Sequence, residues 1–253
     1  MFGPLDAAQR QVRSLEQLDH RPWPLPKRGW TMGQTWEDLL FAHWHVPLPE
    51  LQAHVPKGLE VDTFDGEAWL AVAPFRITGL RARGMLPLPR ISEFLELNVR
   101  TPVRGPDGTP GVWFFSLDAS SRLAVEVARR AYKLPYFQAR MSATPREGWI
   151  DYECARVGEP GRVFSGSYRP DGEVFHAEPG SLEWFLMERY CLYTADAQGG
   201  LRRADIHHEP WPLQVAEASI ELASISPLEL DGTPLCHFSR RQDVLVWPLE
   251  SVR

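Results

Sequence analysis

Prolines are the feature that most restricts how this chain can fold. The 253 residues include 23 prolines and 19 glycines. Because proline ends or kinks a helix, the segments between successive prolines favour short helices and strands joined by turns. The remaining composition, 43% hydrophobic and 24% charged residues, is ordinary for a globular protein. We therefore expect many short elements around a packed core.

Five short segments carry helix signals, each with a capping residue, a capping box or a proline in the first turn. They begin near Leu5, Thr35, Pro49, Ser121 and Ser181. The first covers residues 5–18 and is followed by a proline-rich extended arm at residues 21–26. The second rests on the capping-box pattern Thr35-Trp36-Glu37-Asp38.

The rest of the chain is dominated by strand signals. Asp65-Gly66 between two strand-like runs is a type I′ hairpin dipeptide, and Pro170-Asp171-Gly172 marks another turn. Residues 94–103 alternate between apolar and polar side chains, which is the period of a strand. Further strand-like runs cover residues 112–118, 132–141, 149–157, 163–168, 192–194, 201–208, 215–225 and 243–247. This pattern predicts an α+β, mainly β fold: an antiparallel β-barrel or cone with a few short peripheral helices.

No linker or internal repeat divides the sequence, so we predict a single domain over residues 1–253. Residues 1–34 would form an N-terminal helix and arm, and residues 35–253 a β-barrel-like body. The three cysteines are far apart and form neither a zinc motif nor a disulfide framework. The sequence shows no signal peptide and no apolar run of membrane-spanning length. We therefore expect a cytoplasmic protein that is not in a membrane.

Charge and motifs exclude several function classes. The formal net charge of −6 argues against a nucleic-acid partner and against an anionic membrane surface. The usual fingerprints of dinucleotide, nucleoside triphosphate, zinc-protease and α/β-hydrolase sites do not occur in the sequence. His43-Trp44-His45 and His207-His208 are the histidine clusters, but adjacent strand residues face opposite ways. We predict no metal and no cofactor, so any chemistry must come from dispersed residues.

Polar side chains on two neighbouring strands form the candidate site. Glu96, Asn98 and Arg100 share one face of the run 94–103, and Ser116 and Asp118 share one face of the run 112–118. Such a face is either solvated or, in a closed sheet, directed into a lumen where polar groups hold a ligand. Arg129, at the end of the helix after Ser121, either interacts favourably with the helix dipole or turns inward to bind a carboxylate.

Several long segments together resemble the YqjF-like bacterial family of unknown function. They are Phe41–Trp44, Leu59–Gly66, Phe94–Arg100, Gly111–Ala119, Ala128–Arg129, Leu134–Tyr136, Ser181–Tyr193 and His208–Leu213. That family is similar, more remotely, to the acetoacetate decarboxylase superfamily. The resemblance implies a mainly antiparallel β cone or barrel around a pocket.

The resemblance also implies which chemistry is missing. In the decarboxylase, a lysine forms a Schiff base with a keto acid and a second lysine depresses its pKa. Phe94-Leu95-Glu96 and Arg129 match that family's pattern, but Leu134-Pro135-Tyr136-Phe137 replaces its lysine block. Lys133 is close in sequence, yet an offset of three along a strand would place it on the opposite face from Tyr136. We therefore expect no imine chemistry, and expect Tyr136 to donate a hydrogen bond or a proton with Glu96 as its partner.

Three functions stay open at this point. The first is a protein that binds a small carboxylate or carbonyl compound with a negative charge. Its pocket would be lined by Glu96, Asn98, Arg100, Ser116, Asp118, Arg129 and Tyr136. The second is an enzyme that acts on such a compound through Glu96 and Tyr136, so the sequence leaves open whether the protein is an enzyme. The third is an interaction protein whose N-terminal arm docks on a partner or sister subunit, and the superfamily resemblance is compatible with a homo-oligomer.

Overall fold

One large, strongly curved sheet with short helices around it makes up the protein, of which we obtained a computed structural model. The structure describes residues 4–88 and 91–252. Within these ranges the helices are α1 (Pro4–Arg13), α2 (Leu48–Ala53), α3 (Arg122–Tyr132) and α4 (Leu182–Met187). None of these described helices is long and apolar enough to cross a membrane.

Thirteen strands are described. They are β1 (Met32–Val46), β2 (Glu60–Val61), β3 (Ala68–Ala82), β4 (Phe94–Arg104), β5 (Pro110–Ala119), β6 (Tyr136–Arg146), β7 (Trp149–Arg156), β8 (Val163–Phe175), β9 (Cys191–Ala195), β10 (Leu201–His207), β11 (Leu213–Leu222), β12 (Leu235–Val246) and β13 (Glu250–Ser251). They belong to one sheet with the order β13-β10-β9-β5-β6-β7-β8-β11-β12-β1-β3-β4-β2.

Two additional pairings, β4 with β5 and β10 with β12, join distant parts of that order. The sheet therefore curves back on itself, and two paths of paired strands connect β5 with β12. One path runs through β6, β7, β8 and β11, and the other runs through β9 and β10. Both close through the same shared strands, β12, β1, β3, β4 and β5. Every described pairing is antiparallel except those of β5 with β6 and with β9. The predicted mainly antiparallel β fold with peripheral helices is confirmed, and the single sheet supports the proposal of one domain.

The shared strands bury both of their faces, in separate cores. On β1, Leu40 and Ala42 belong to the core that β6, β7 and β8 complete. Their neighbours Leu39 and Phe41 belong to a second core with Phe75. Because side chains alternate along a strand, every second residue of β1, β3 and β4 faces this second side of the sheet. The candidate site lies on that side.

β1 replaces the helix that the capping box at Thr35 predicts. Residues 32–46 pair with β12 along one edge and with β3 along the other, so the sheet satisfies their backbone groups. Asp38 has a φ of 52°, and the register against β3 shifts by one residue between Glu37 and Ala42. This geometry is that of a β-bulge. The helix prediction is wrong because a four-residue local preference is weaker than pairing on two edges.

The two predicted turns had different outcomes. Asp65 and Gly66 have φ values of 50° and 85°, as a type I′ turn requires. The hairpin is nevertheless reduced to one bridge between Phe64 and Glu67, because β2 leaves to pair with β4. The turn predicted at residues 170–172 is wrong, since these residues continue β8 and a register shift against β11 accommodates them.

The predicted serine caps of α3 and α4 are present. The Ser121 hydroxyl accepts a hydrogen bond from the Ala124 N–H at 3.3 Å, and the Ser181 hydroxyl accepts one from the Trp184 N–H at 3.1 Å. The N-terminal helix ends earlier than predicted, at Arg13, and a 3-10 turn follows it.

The N-terminal segment packs on the body of its own chain. The buried Gln11 side chain of α1 donates to the Thr35 hydroxyl and to the Gly79 carbonyl. In the arm, Arg21 donates to the Ile206 carbonyl at 2.7 Å, and the Trp23 indole N–H donates to Asp205 at 2.8 Å. These contacts disfavour the hypothesis that the arm docks on another molecule.

Candidate functional site

A cavity of about 190 Å³ lies on the second side of the sheet, beneath α3. Its wall draws on two apolar clusters, one containing Ile77 and Phe94 and the other containing Phe114 and Leu192. Most of the described wall is apolar. The side chains with polar atoms are those of Gln34, Trp36, Glu96, Asn98, Arg100, Tyr132 and Tyr136.

β4 supplies the ionisable part of this wall. Glu96, Asn98 and Arg100 are only 3%, 7% and 7% exposed, so the alternative of a solvated strand face is wrong. Alternate residues on one face follow each other along the strand at about 3.3 Å per residue, which separates the backbones of Glu96 and Arg100 by about 13 Å. The cavity wall therefore has an acid and a cation at different positions along β4, with an amide between them.

Arg100 is a buried cation for which the residues that the structure describes supply no ion-pair partner. Its Nη2 atom is buried and has no hydrogen-bond partner, and its guanidinium lies 5.1 Å from the ring centre of Phe41. Burial lowers the pKa of Arg100 to about 10, and the nearby positive charge of Arg189 acts in the same direction. The guanidinium remains charged at neutral pH. A buried, unpaired charge is strongly unfavourable, so this side chain is destabilising unless an anion joins it.

Two more buried polar atoms of the wall have no partner: the Asn98 side-chain oxygen and the Trp36 indole nitrogen. Trp36 is held in place by stacking on Trp211, with ring centres 5.8 Å apart. Buried polar groups in proteins are nearly always hydrogen-bonded, so each such exception asks for an explanation. Here the three unpartnered atoms belong to residues that line the same cavity, so a polar ligand or water there is the nearest candidate partner for them.

Glu96 and Tyr136 form a hydrogen-bonded pair in the wall. The Tyr136 hydroxyl donates to Glu96 Oε2 at 3.0 Å. Burial raises the pKa of Glu96 to about 8; the Tyr136 hydrogen bond opposes this shift and the charge of Asp118 adds to it. Burial and the neighbouring carboxyl raise the pKa of Tyr136 well above its ordinary value. At neutral pH the pair is therefore mostly uncharged and can act as a proton donor.

Ser116 and Asp118 do not line the cavity. The β4–β5 register places Asn98 opposite Leu117 and Leu97 opposite Asp118, and directly opposed residues share a face. Asp118 therefore points to the other side of the sheet, where Arg156 donates to both of its oxygens at 2.7 and 2.9 Å. Ser116 lies on that same side, opposite Val99. The prediction that both strands turn their polar faces into one pocket is wrong, because alternation within a strand does not reveal the register between strands.

Arg129 also lies outside the cavity. It is exposed, its Nε donates to the Tyr136 carbonyl at 2.6 Å, and its guanidinium lies 5.7 Å from the Phe137 ring. The prediction that it binds the ligand is wrong, because α3 turns Ala124 and Ala128 to the cavity and Arg129 away from it.

Lys133 is exposed at the C-terminal end of α3 with a φ of 54°, and its carbonyl accepts from Thr194. Among the described residues that line the cavity there is no lysine. The wall thus offers no side-chain amine for an imine.

The histidine clusters are divided among separate surroundings. His43 is buried beside Phe41, whereas His45 is on the surface and pairs with Glu67. His207 hydrogen-bonds to the Ser14 carbonyl, and His208 hydrogen-bonds to the Glu209 carbonyl. In the part of the chain that the structure describes, no group of three potential ligands is placed to hold a metal ion.

Sequence reasoning missed part of the wall. Met32, Gln34 and Trp36 line the cavity from β1 at the spacing of a strand face, but the capping box assigned Trp36 to a helix. The period-two spacing of these residues was the signal that could have found them. The helix after Ser121 was predicted, whereas its position over a cavity was not.

Comparison with solved structures identifies the fold. It is that of the acetoacetate decarboxylase-like proteins: acetoacetate decarboxylase from Legionella pneumophila subsp. pneumophila str. Philadelphia 1 matches with a TM-score of 0.65 and 15% identity, covering 93% of this chain and 94% of that one. The enduracididine biosynthesis enzyme MppR, in a complex with pyruvate, matches with a TM-score of 0.60 and 11% identity over 91% of this chain and 93% of that one.

By sequence, the chain belongs to the DUF2071 family of uncharacterized conserved proteins, whose model matches residues 33–243. It is 44% identical to the uncharacterized protein YqjF of Bacillus subtilis (strain 168) over 238 residues, which are 92% of this chain and 98% of that protein. The resemblance stated from the sequence is confirmed.

Proposed function

We propose that the protein binds a small monocarboxylate, with or without a carbonyl group, in the cavity beneath α3. The observation that carries this proposal is the buried guanidinium of Arg100 with its unpartnered Nη2 atom. A guanidinium matches the planar geometry of a carboxylate, and such charge-assisted hydrogen bonds are among the strongest in proteins. A bound carboxylate would give Arg100 its missing counter-charge.

The other ionisable groups of the wall are compatible with one negative charge. Glu96 is mostly neutral near pH 7, so it does not repel an anion. Arg100 is the one arginine or lysine among the described lining residues, which favours a monoanion over a dianion. The related MppR structure, which contains pyruvate, supports the same ligand class.

Calorimetric titration of purified protein with a panel of monocarboxylates, compared with Arg100→Met, tests the proposal. We expect at least a tenfold loss of affinity in the variant. We also expect the unliganded variant to melt at the same or a higher temperature, because the substitution removes an unpaired buried charge. Arg129→Met, an exposed change, should alter neither property. Equal affinity of Arg100→Met and the wild type contradicts the proposal.

A second candidate function is catalysis at the same site. It is favoured by the contact between a mostly neutral Glu96 and Tyr136, since a buried neutral carboxyl can protonate a carbonyl oxygen of the ligand. Glu96→Gln should then abolish turnover of a compound library while it retains binding. Borohydride reduction with keto acids should label no lysine. Turnover that persists in Glu96→Gln excludes this role.

Two predictions stay proposals alongside these. A cytoplasmic location is supported by the three cysteines, which are all free. A homo-oligomer rests on the superfamily resemblance alone, and the mass of the protein in solution tests it.

A further inference from the structure

The cavity extends along β4 from a closed end to an open one. Arg100, Asn98, Glu96 and Phe94 follow each other on one face of β4, and each lines the cavity. Arg100 is buried at one end, whereas Ile91, just before β4 begins, is 47% exposed at the other. At about 3.3 Å per residue, the backbone from Arg100 to Phe94 measures about 20 Å. The anion anchor therefore lies at the end of the lining face of β4 that is farthest from the exposed Ile91.

The open half of the cavity is apolar. Leu123, Ala124, Val127 and Ala128 of α3 line it, and Leu80 and Ile91 contribute further apolar lining. Leu123 and Val127 remain 54% and 56% exposed even though they form part of the wall. Contiguous apolar side chains left open to solvent at the rim of a cavity mark a surface that a ligand covers.

We infer that the ligand is a carboxylate with an apolar alkyl or aryl tail, and that the tail passes Glu96 and Tyr136 and ends beneath α3. The inference rests on the proposed function, since it takes Arg100 as the carboxylate anchor. A compound of the size of pyruvate would fill only the Arg100 end. A cavity of about 150 Å³ holds a benzene molecule, so the 190 Å³ found here accommodates one ring or a short chain.

A series of ligands that differ only in the tail tests the inference by calorimetry: pyruvate, butanoate, hexanoate, octanoate and 3-phenylpropanoate at pH 7. Each methylene that moves from water to the cavity wall should tighten binding about three- to fourfold. We expect this gain to continue until the tail emerges at Leu123 and then to stop. 3-Phenylpropanoate should bind at least ten times more tightly than pyruvate.

Two variants on α3 form a matched pair. Ala128 lines the cavity, whereas Arg122 is exposed on the opposite face of the same helix. Ala128→Trp should block the tail, with a loss of affinity at least ten times larger for octanoate than for pyruvate, whereas Arg122→Trp should leave both affinities unchanged. Melting temperatures report whether each variant folds. Leu123→Ala, which removes apolar surface at the rim without filling the cavity, should weaken octanoate more than butanoate.

The outcomes separate the two proposals. If carboxylates bind through Arg100 but affinity does not depend on the tail, and Ala128→Trp weakens octanoate and pyruvate equally, the inference is wrong and the proposed function stands. If no carboxylate in the series binds the wild-type protein, both are wrong.

Discussion

Single residues on β4 determine the charge that the cavity presents. Glu96 and Arg100 are both buried, and burial raises the pKa of Glu96 but lowers the pKa of Arg100. It favours the neutral form of the carboxyl group, and it leaves the guanidinium charged because an arginine pKa starts far above neutrality. The unliganded wall thus carries a single positive charge near pH 7.

The raised pKa of Glu96 predicts how stability depends on pH. A carboxyl group whose pKa is about 8 in the folded protein and 4.5 in its ordinary state stabilises the fold at low pH. This contribution is lost as pH rises through that window, with a slope of at most about 1.4 kcal/mol per pH unit. Glu96→Gln removes the titration, so its free energy of unfolding should fall less between pH 5 and pH 8 than that of the wild type.

Urea denaturation at several pH values measures this difference. Glu93→Gln, an exposed change just before β4, is the matched control and should follow the wild-type profile. Parallel profiles of the wild type and Glu96→Gln would show that Glu96 is ionised in the folded protein.

The Asp118–Arg156 pair is predicted to contribute to stability and not to binding. Arg156→Met leaves Asp118, which has no solvent exposure, without its two hydrogen bonds. Loss of one partner of a buried pair costs about 3–5 kcal/mol. Arg169→Met, at an exposed pair with Glu217, should cost less than about 1 kcal/mol. Equal denaturation midpoints for the two variants would contradict the structural role of Asp118.

At the scale of elements, the bulge in β1 shows how one position is adapted to the sheet. Asp38 holds a left-handed backbone, its carbonyl accepts from Tyr168 at 2.8 Å, and its side chain pairs with Arg240. Aspartate and glycine tolerate this conformation, whereas a β-branched residue does not. The Asp in the apparent capping box therefore suits the bulge.

Substitution of Asp38 tests this interpretation. Asp38→Val should lower the free energy of unfolding by about 1–3 kcal/mol because of backbone strain. Asp38→Gly should be close to neutral, since relief of the left-handed conformation offsets the loss of an exposed ion pair. Chemical denaturation checks both. A valine variant as stable as the glycine variant would mean that the bulge relaxes at little cost.

At the scale of the whole molecule, the N-terminal helix is attached to the sheet through Gln11. Its amide donates to Thr35 and to the Gly79 carbonyl and accepts from Arg81 at 2.7 Å, so one side chain joins α1 to β1 and β3. These groups come from distant parts of the chain. Their burial makes α1 part of the fold.

Gln11→Ala should lower the free energy of unfolding by about 1–3 kcal/mol, because it leaves buried polar groups without partners. Gln9→Ala, an exposed change two residues earlier on the same helix, should change it little. Denaturation of both variants measures the difference.

Removal of residues 1–26 should destabilise the protein without changing its mass in solution beyond the missing segment. Dissociation of an assembly on removal would instead support the hypothesis that the N-terminal arm docks on a partner.

The family resemblance, the mainly β class and the capping serines of α3 and α4 were predictable from the sequence, because they depend on signals within a few residues of one another. So was the alternation that places Glu96, Asn98 and Arg100 on one face of β4. That alternation could not show whether the face is solvated. Nor could it show that Ser116 and Asp118 face away from Glu96, since a single residue of register moves a whole strand to the other face.

The sequence by itself therefore determined which side chains share a strand face and that residues 134–137 replace the lysine block of the acetoacetate decarboxylase pattern. Only the tertiary structure decided that the β4 face is buried beneath α3 and that Arg156 is the ion-pair partner of Asp118 on the opposite side. It also decided that, over residues 4–88 and 91–252, Arg100 has no such partner. The physical reason is the sequence separation of the interacting residues, because backbone alternation and capping act between neighbouring residues. Burial and counter-charge are instead set by strands that pair across more than a hundred residues, as β1 does with β12.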